Sequence, residues 1–237
     1  MYPKLFGIEN VSMYDLIGVI GYGILIAFFF IHRKRYFQPL SAEQSLSWWH
    51  FPLFLAVQLI AYTFGGTFLA GYLNRGTEFF GYVAISAIGM VLTAAVLAYS
   101  PLRWLDRTVP LYLTMAAVLK LSCFCAGCCY GLPWECGLNN ARCDEVQFPI
   151  QLAEAAAYAL LLCLLWWYRG RAGQRFALFL TTYAAVRFAV QFFRGDMPVF
   201  SAFHWMSAVF FAIGVMMWVL CGVAGKRNVP RETRGHS

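Results

Sequence analysis

Long apolar runs organise the chain, each closed by a short polar or basic connection. They occupy residues 11–31, 48–72, 79–100, 109–131, 146–168, 176–193 and 203–223. A helix of about 20 residues crosses the hydrocarbon core of a bilayer, so each run predicts one transmembrane helix. The second run is long; it accommodates tilt or an interfacial start, where Trp48, Trp49 and His50 suit the headgroup level. The sixth is short and contains Arg187. Residues 1–10 lack the basic start of a signal peptide, and no small-residue cleavage site follows the first run. His32-Arg33-Lys34-Arg35 stops that run instead, so it is expected to remain as a span. The predicted fold class is all-α, a polytopic transmembrane bundle of seven spans.

Composition agrees with the pattern. Of the residues 61% are hydrophobic and 12% charged, against about a quarter charged in a soluble domain. The formal charge of +7 would suit nucleic acid, but its placement assigns it to topology. Arg33, Lys34, Arg35, Arg103, Arg107, Arg169, Arg171, Arg175, Lys226, Arg227, Arg231 and Arg234 fall in alternate connections and the carboxyl tail. Only Lys4, Arg75, Arg142 and Arg194 fall on the opposite side. The positive-inside rule then puts the amino end outside and the carboxyl end in the cytoplasm. The basic side meets anionic headgroups of the membrane lipids, and no nucleic-acid partner is expected. Connections are short, so residues 1–237 are expected to form one membrane domain, with 226–237 as a polar, disordered tail. The longest connection, 132–145, is expected outside.

Ionisable groups inside spans cost a few kcal/mol each unless they pair or line a polar cavity. Here they are Asp15, Lys120, Glu154 and Arg187, with Arg194 and Asp196 at a span end. The topology gathers nearly all of them in the outer half of the bundle. Tyr183, Arg187, Gln191 and Arg194 follow one another along one helical face, and Gln151, Glu154 and Tyr158 along a second. Lys120, Cys123 and Gly127 make a third. Two guanidiniums near the outer headgroups suit a phosphate, which arginine grips with paired donors. The competing explanation is that Glu154 pairs with Arg187 or Lys120 only to tolerate burial.

The run Ser122-Cys123-Phe124-Cys125-Ala126-Gly127-Cys128-Cys129-Tyr130-Gly131 concentrates cysteine. No metal is expected: His32, His50, His204 and His236 are scattered, and Cys125, Cys128, Cys136 and Cys143 do not have the spacing of paired zinc ligands. Cys123, Cys125 and Gly127 read as small packing residues of a membrane helix. Cys128, Cys129, Cys136 and Cys143 would face an oxidising compartment, where a disulfide among them is chemically allowed.

Five segments between residues 14 and 194 then resemble the prolipoprotein diacylglyceryl transferases. Tyr14 matches a tyrosine of the first span. Gly65-Gly66 and Phe79-Phe80-Gly81 fall on a paired glycine and on a Phe-His-Gly-Gly segment. Ser122–Gly131 falls on the long signature Arg-x-Gly-Asn-Phe-x-Asn-Gly-Glu-x-x-Gly. Phe148-Pro149-Ile150-Gln151-Leu152-Ala153-Glu154 falls on His-Pro-x-Gln-Leu-Tyr-Glu. Arg187-Phe188-x-x-Gln191-Phe192-Phe193-Arg194 falls on Arg-x-x-x-Glu-Phe-Phe-Arg. The chain departs from the pattern where Lys120 replaces arginine, Cys123 asparagine, Cys128 glutamate, and Phe80 and Phe148 histidines.

That resemblance implies a seven-span enzyme of the bacterial plasma (inner) membrane. Such an enzyme moves a diacylglyceryl group from phosphatidylglycerol to the lipobox thiol of an exported prolipoprotein, without a cofactor. Arg187, Lys120 and Tyr14 are then the expected catalytic residues. Arg194, Gln151, Glu154, Gln191 and Gly127 are the expected substrate-binding residues. With Phe80 and Phe148 in place, a histidine base is excluded at both positions, and Lys120 or Tyr14 would have to replace it. Two other readings remain at this stage: a non-catalytic phospholipid-binding or assembly protein of the same fold, and a membrane thiol oxidoreductase using the Cys128-Cys129 region.

Overall fold

The computed structural model describes residues 50–61, 78–97, 100–140, 143–196 and 200–227, with scattered positions among 16–31 and at 64 and 198. Its elements are α1 (His50–Ala61), α2 (Glu78–Val96), α3 (Pro101–Ala126), β1 (Pro133–Asn140), β2 (Cys143–Gln147), α4 (Ile150–Trp167), α5 (Gln174–Gln191) and α6 (Ala202–Arg227). Among the described residues, four helical segments are long and apolar enough to cross a membrane: Phe79–Val96, Pro101–Ala126, Ile150–Trp167 and Ala202–Val223. Helix α5 fills the position of the sixth expected span but carries Arg175 and Arg187. The first expected span and the second half of the next lie mainly outside the described residues. The chain is a multi-pass, mostly helical membrane protein.

The apolar outer faces follow from that solvent. On α6, Trp205 is 67% exposed and Leu220 60% exposed, as lipid permits and water would not. Against this, the interior is tightly aromatic: Trp104, Tyr82, Tyr112, Tyr158, Phe80 and Phe179 are all fully buried. A polar knot ties α1, α2 and α3 within it. The Tyr82 hydroxyl donates to Gln58 Oε1 at 2.6 Å, Ser86 Oγ donates to the same oxygen at 2.9 Å, and Ser86 Oγ lies 2.6 Å from the Tyr112 hydroxyl. Interhelical hydrogen bonds of this kind stabilise helix pairs where lipid gives no hydrophobic drive.

Two boundaries differ from the sequence expectation. Helix α3 begins at Pro101, well before residue 109, because proline suits a first helical turn whose N–H groups have no partner. Arg103 and Arg107 therefore sit on its first two turns. It ends at Ala126, where Gly127 takes the left-handed φ of 68°. The Gly127 N–H donates to Phe124 O and the Cys128 N–H to Cys123 O, both at 3.1 Å, the paired bonds of a Schellman turn. Gly127 thus caps the helix rather than continuing a helical stripe.

The connection 132–145 is also more ordered than an all-α reading allows. β1 and β2 pair antiparallel, with Asn139 opposite Val146 and an irregularity between Pro133 and Leu138. Short range helix signals could not reveal this, since the pairing depends on both strands being brought back to the bundle end. The hairpin stem is anchored there: Phe148 N donates to Leu132 O at 2.9 Å and Leu132 N to Phe193 O at 3.0 Å. Gly131 pairs antiparallel with Arg194, and a Cβ on Gly131 would collide with the Phe148 carbonyl.

Candidate active site at the hairpin end of the bundle

The last turns of α3 and α5 and the first turns of α4 meet beneath the hairpin stem. Glu154 of α4 has no solvent exposure. Lys120 Nζ of α3 lies 2.5 Å from its Oε2, and Arg187 Nη1 of α5 donates to its Oε1. The Tyr158 hydroxyl donates to the same Oε1 at 3.1 Å. The Tyr158 ring stacks on Tyr183 at 5.2 Å, and Phe80 packs edge-on against Tyr183 at 5.5 Å. Among the described residues, two cations on one carboxylate leave one positive charge in surplus. In a low-dielectric interior that surplus is costly, and an anion placed beside it would remove the cost.

The other expected site residues divide. Gln151 is buried one turn before Glu154, and its Nε2 donates to Cys128 O at 2.8 Å. Gln191 is buried on α5, with its Nε2 3.5 Å from Ser201 Oγ. Arg194 lies just beyond α5 with its fork filled: Nε donates to Asp196 Oδ1 at 2.9 Å and Nη2 to Oδ2 at 2.7 Å. Burial opposes its charge, but Asp196 outweighs that and holds the guanidinium above its ordinary range. Arg194 and Asp196 thus form a neutral pair, and among the described residues the surplus charge rests with Lys120 and Arg187. Tyr14 lies outside the described residues. Phe148 packs at 5.7 Å from Trp134 and 6.3 Å from Phe193.

Cys123, Cys128 and Cys129 bring their sulfur atoms within 4.8 Å of one another. This is a different set from the Cys125, Cys128, Cys136 and Cys143 grouping weighed on spacing. Hydrogen bonds from the Cys123 and Cys128 thiols, with the charges of Lys120 and Arg194, pull the Cys129 thiol below its ordinary range against its burial. Among the described residues, Cys123, Cys125, Cys128, Cys129 and Cys136 are in no disulfide.

His204 is a buried residue that the sequence did not single out. Its Nδ1 accepts from the Ser201 N–H at 3.3 Å, and its ring lies among Phe188, Phe192 and Phe200. Its Nε2 has no hydrogen-bond partner among the described residues. Nothing in Phe203-His204-Trp205 distinguishes it from a packing histidine until the fold sets it beside Ser201 and Gln191.

The family model described as prolipoprotein diacylglyceryl transferase matches residues 3–220. The chain belongs to the prolipoprotein diacylglyceryl transferase family. It is accordingly an enzyme of the diacylglyceryl transferase type. The chain is similar to the phosphatidylglycerol–prolipoprotein diacylglyceryl transferase of Clostridium tetani (strain Massachusetts / E88), with 25% identity over 221 residues, 83% of this chain and 86% of that protein. It is similar also to the enzyme of that name from Coxiella burnetii (strain Dugway 5J108-111), with 33% identity over 134 residues, 51% of each. Against this family's pattern, the two aromatic replacements have different surroundings. Phe80 is sealed in the core, whereas Phe148 is half-buried at the hairpin stem.

Proposed function

We propose that this protein transfers the diacylglyceryl group of phosphatidylglycerol to the thiol of an exported prolipoprotein, at the outer leaflet of a bacterial inner membrane. The observation that carries this reading is the surplus positive charge that Lys120 and Arg187 leave around the buried Glu154. A phosphodiester in that position supplies the missing negative charge. As the carbon–oxygen bond to phosphate breaks, charge grows on the leaving phosphate, and preorganised cations stabilise the transition state more than the ground state. Glu154 keeps the two cations from repelling one another while the site is empty, and Tyr158 fixes the carboxylate. Arg187 and Lys120 are the phosphate-facing groups, with Gln151 and Gln191 as neighbouring polar groups. Arg194 acts in this reading by holding the hairpin stem with Asp196. The basic tail and connections give an amino end outside and a carboxyl end in the cytoplasm.

The test is incubation of the purified chain in nanodiscs with labelled phosphatidylglycerol and a lipobox peptide. A lipidated peptide and released glycerol phosphate are expected. Tight binding of phosphatidylglycerol without transfer would favour a lipid-binding protein of the same fold. Thiol oxidation of the peptide without lipid attachment would favour an oxidoreductase.

A further inference from the structure

The reaction needs its acceptor sulfur as a thiolate, and among the described residues Lys120 is engaged as the cation of an ion pair with Glu154. We infer that Cys123, Cys128 and Cys129 form a three-thiolate site for a soft divalent cation of the zinc class, whose open fourth position takes the acceptor thiol. This inference deepens the proposed transfer and rests on that reading.

The geometry carries it. The three sulfur atoms lie within 4.8 Å of one another. Zinc–sulfur bonds of about 2.3 Å put sulfurs about 4 Å apart, so only a small closure is required. All three residues are half-buried, which leaves a route for a ligand. The turn is built rather than slack. The Schellman bond from Cys128 N to Cys123 O folds the chain back over the helix end. Cys129 then adopts a φ of 59°, and among the described residues it is the one non-glycine residue in the left-handed region. Such strain persists only where surrounding contacts hold it. Here Gln151 holds the Cys128 carbonyl at 2.8 Å, and Gly195 N holds the Tyr130 carbonyl at 3.0 Å. Cysteines that merely pack in a membrane helix would need none of this.

The ligand set selects the ion. Thiolates without imidazole or carboxylate favour soft or borderline cations, and three protein ligands with one position open is the pattern of catalytic rather than structural zinc. Three thiolates and a divalent cation carry one net negative charge. A thiol that binds the cation gives its proton to water. Its sulfur then attacks the glyceryl carbon: the carbon–sulfur bond forms, the carbon–oxygen bond to phosphate breaks, and the electron pair leaves with glycerol phosphate. The product thioether is neutral and a weaker ligand, so the position reopens. Nothing is oxidised or reduced.

The experiment uses the full chain in nanodiscs, kept reduced, stripped with chelator and reloaded with Co²⁺ alone. About one cobalt per chain with a near-ultraviolet thiolate charge-transfer band is expected, displaced by Zn²⁺. Addition of the lipobox peptide is expected to intensify that band, and its Cys→Ser form to leave it unchanged. Cys129→Ser and Cys123→Ser should each weaken metal binding at least tenfold, while Cys163→Ser, exposed on α4, should not. Stripping should abolish lipid transfer and Zn²⁺ should restore it. If the two ligand variants do not fold, the wild-type spectrum decides alone. A reduced wild type that takes up no cobalt, or a Cys128–Cys129 disulfide in protein kept in its membrane, would overturn the site. Transfer that survives stripping would overturn its role in activating the thiol. A peptide-responsive cobalt band with no lipid transfer under any condition would uphold the site while removing the proposed function.

Discussion

Two carboxylates are held at opposite ends of the same bundle, and they are held differently. Asp106 of α3 accepts from two backbone N–H groups at the start of α5, Gly173 N at 2.8 Å and Phe176 N at 2.9 Å. It is an N-terminal cap supplied by a neighbouring helix, and backbone N–H groups meet both of its oxygens. Arginines nearby donate to backbone carbonyls. Arg175 Nη2 donates to the Tyr168 carbonyl at 2.7 Å, and Arg171 Nη1 donates to the Gly222 carbonyl. At the other end Glu154 is met by two side-chain cations, and the balance is left positive. The half-buried Asp106, met by backbone, joins two helices. The buried Glu154, met by two cations, is where the proposed function seats a second anion.

The comparison breaks most sharply at Glu154. Glu154→Leu should destabilise the folded protein by about 3–5 kcal/mol, because Lys120 and Arg187 are left facing one another without a counter-charge. Urea titration in detergent followed by helical content measures this, and added phosphatidylglycerol should recover part of the loss. A variant as stable as wild type, with or without lipid, would mean that the cluster carries no surplus charge.

Arg187→Lys comes next. It retains the charge against Glu154 but not the planar pair of donors, so the fold should hold. Loss of transition-state hydrogen bonds of about 3 kcal/mol should cut lipid transfer about a hundredfold. Transfer at the wild-type rate would assign Arg187 to structure alone and make the two ends alike.

At the capping end the expected effect is smaller and of another kind. Asp106→Asn keeps an acceptor oxygen but loses the charge, and should cost about 1–2 kcal/mol of stability with the transfer rate of the folded fraction unchanged. A specific loss of transfer there would join the two ends functionally. Least of all, Gly127→Ala should cost about 1–2 kcal/mol from the left-handed backbone alone. The same variant should disturb metal uptake by the neighbouring cysteines more than it disturbs folding, which a cobalt titration would register.

Much of this was legible in the chain itself. The apolar runs located the helices because lipid demands a nearly continuous apolar length, and that demand is written locally. Lys120, Glu154 and Arg187 stood out because each is an expensive residue inside such a run. Periodicity placed Gln151, Glu154 and Tyr158 on one face, and Tyr183, Arg187 and Gln191 on another. Periodicity failed where the helices stop. Arg194 is off the helix and engaged by Asp196, and Gly127 turns the chain instead of lining a face. The 132–145 hairpin escaped because its anchors, Phe193 and Gly195, lie far along the chain.

The sequence by itself therefore determined the solvent of this protein, the four long apolar helices among the described residues and the short set of ionisable residues worth attention. Each of these depends on single residues or on windows no longer than a helix. Tertiary structure decided which charges meet, that Asp106 is satisfied by backbone and Glu154 by cations, and which three cysteines of a crowded run converge. Those outcomes depend on helix register, on a left-handed turn and on contacts between segments tens of residues apart, and no local pattern encodes the distance between two such segments.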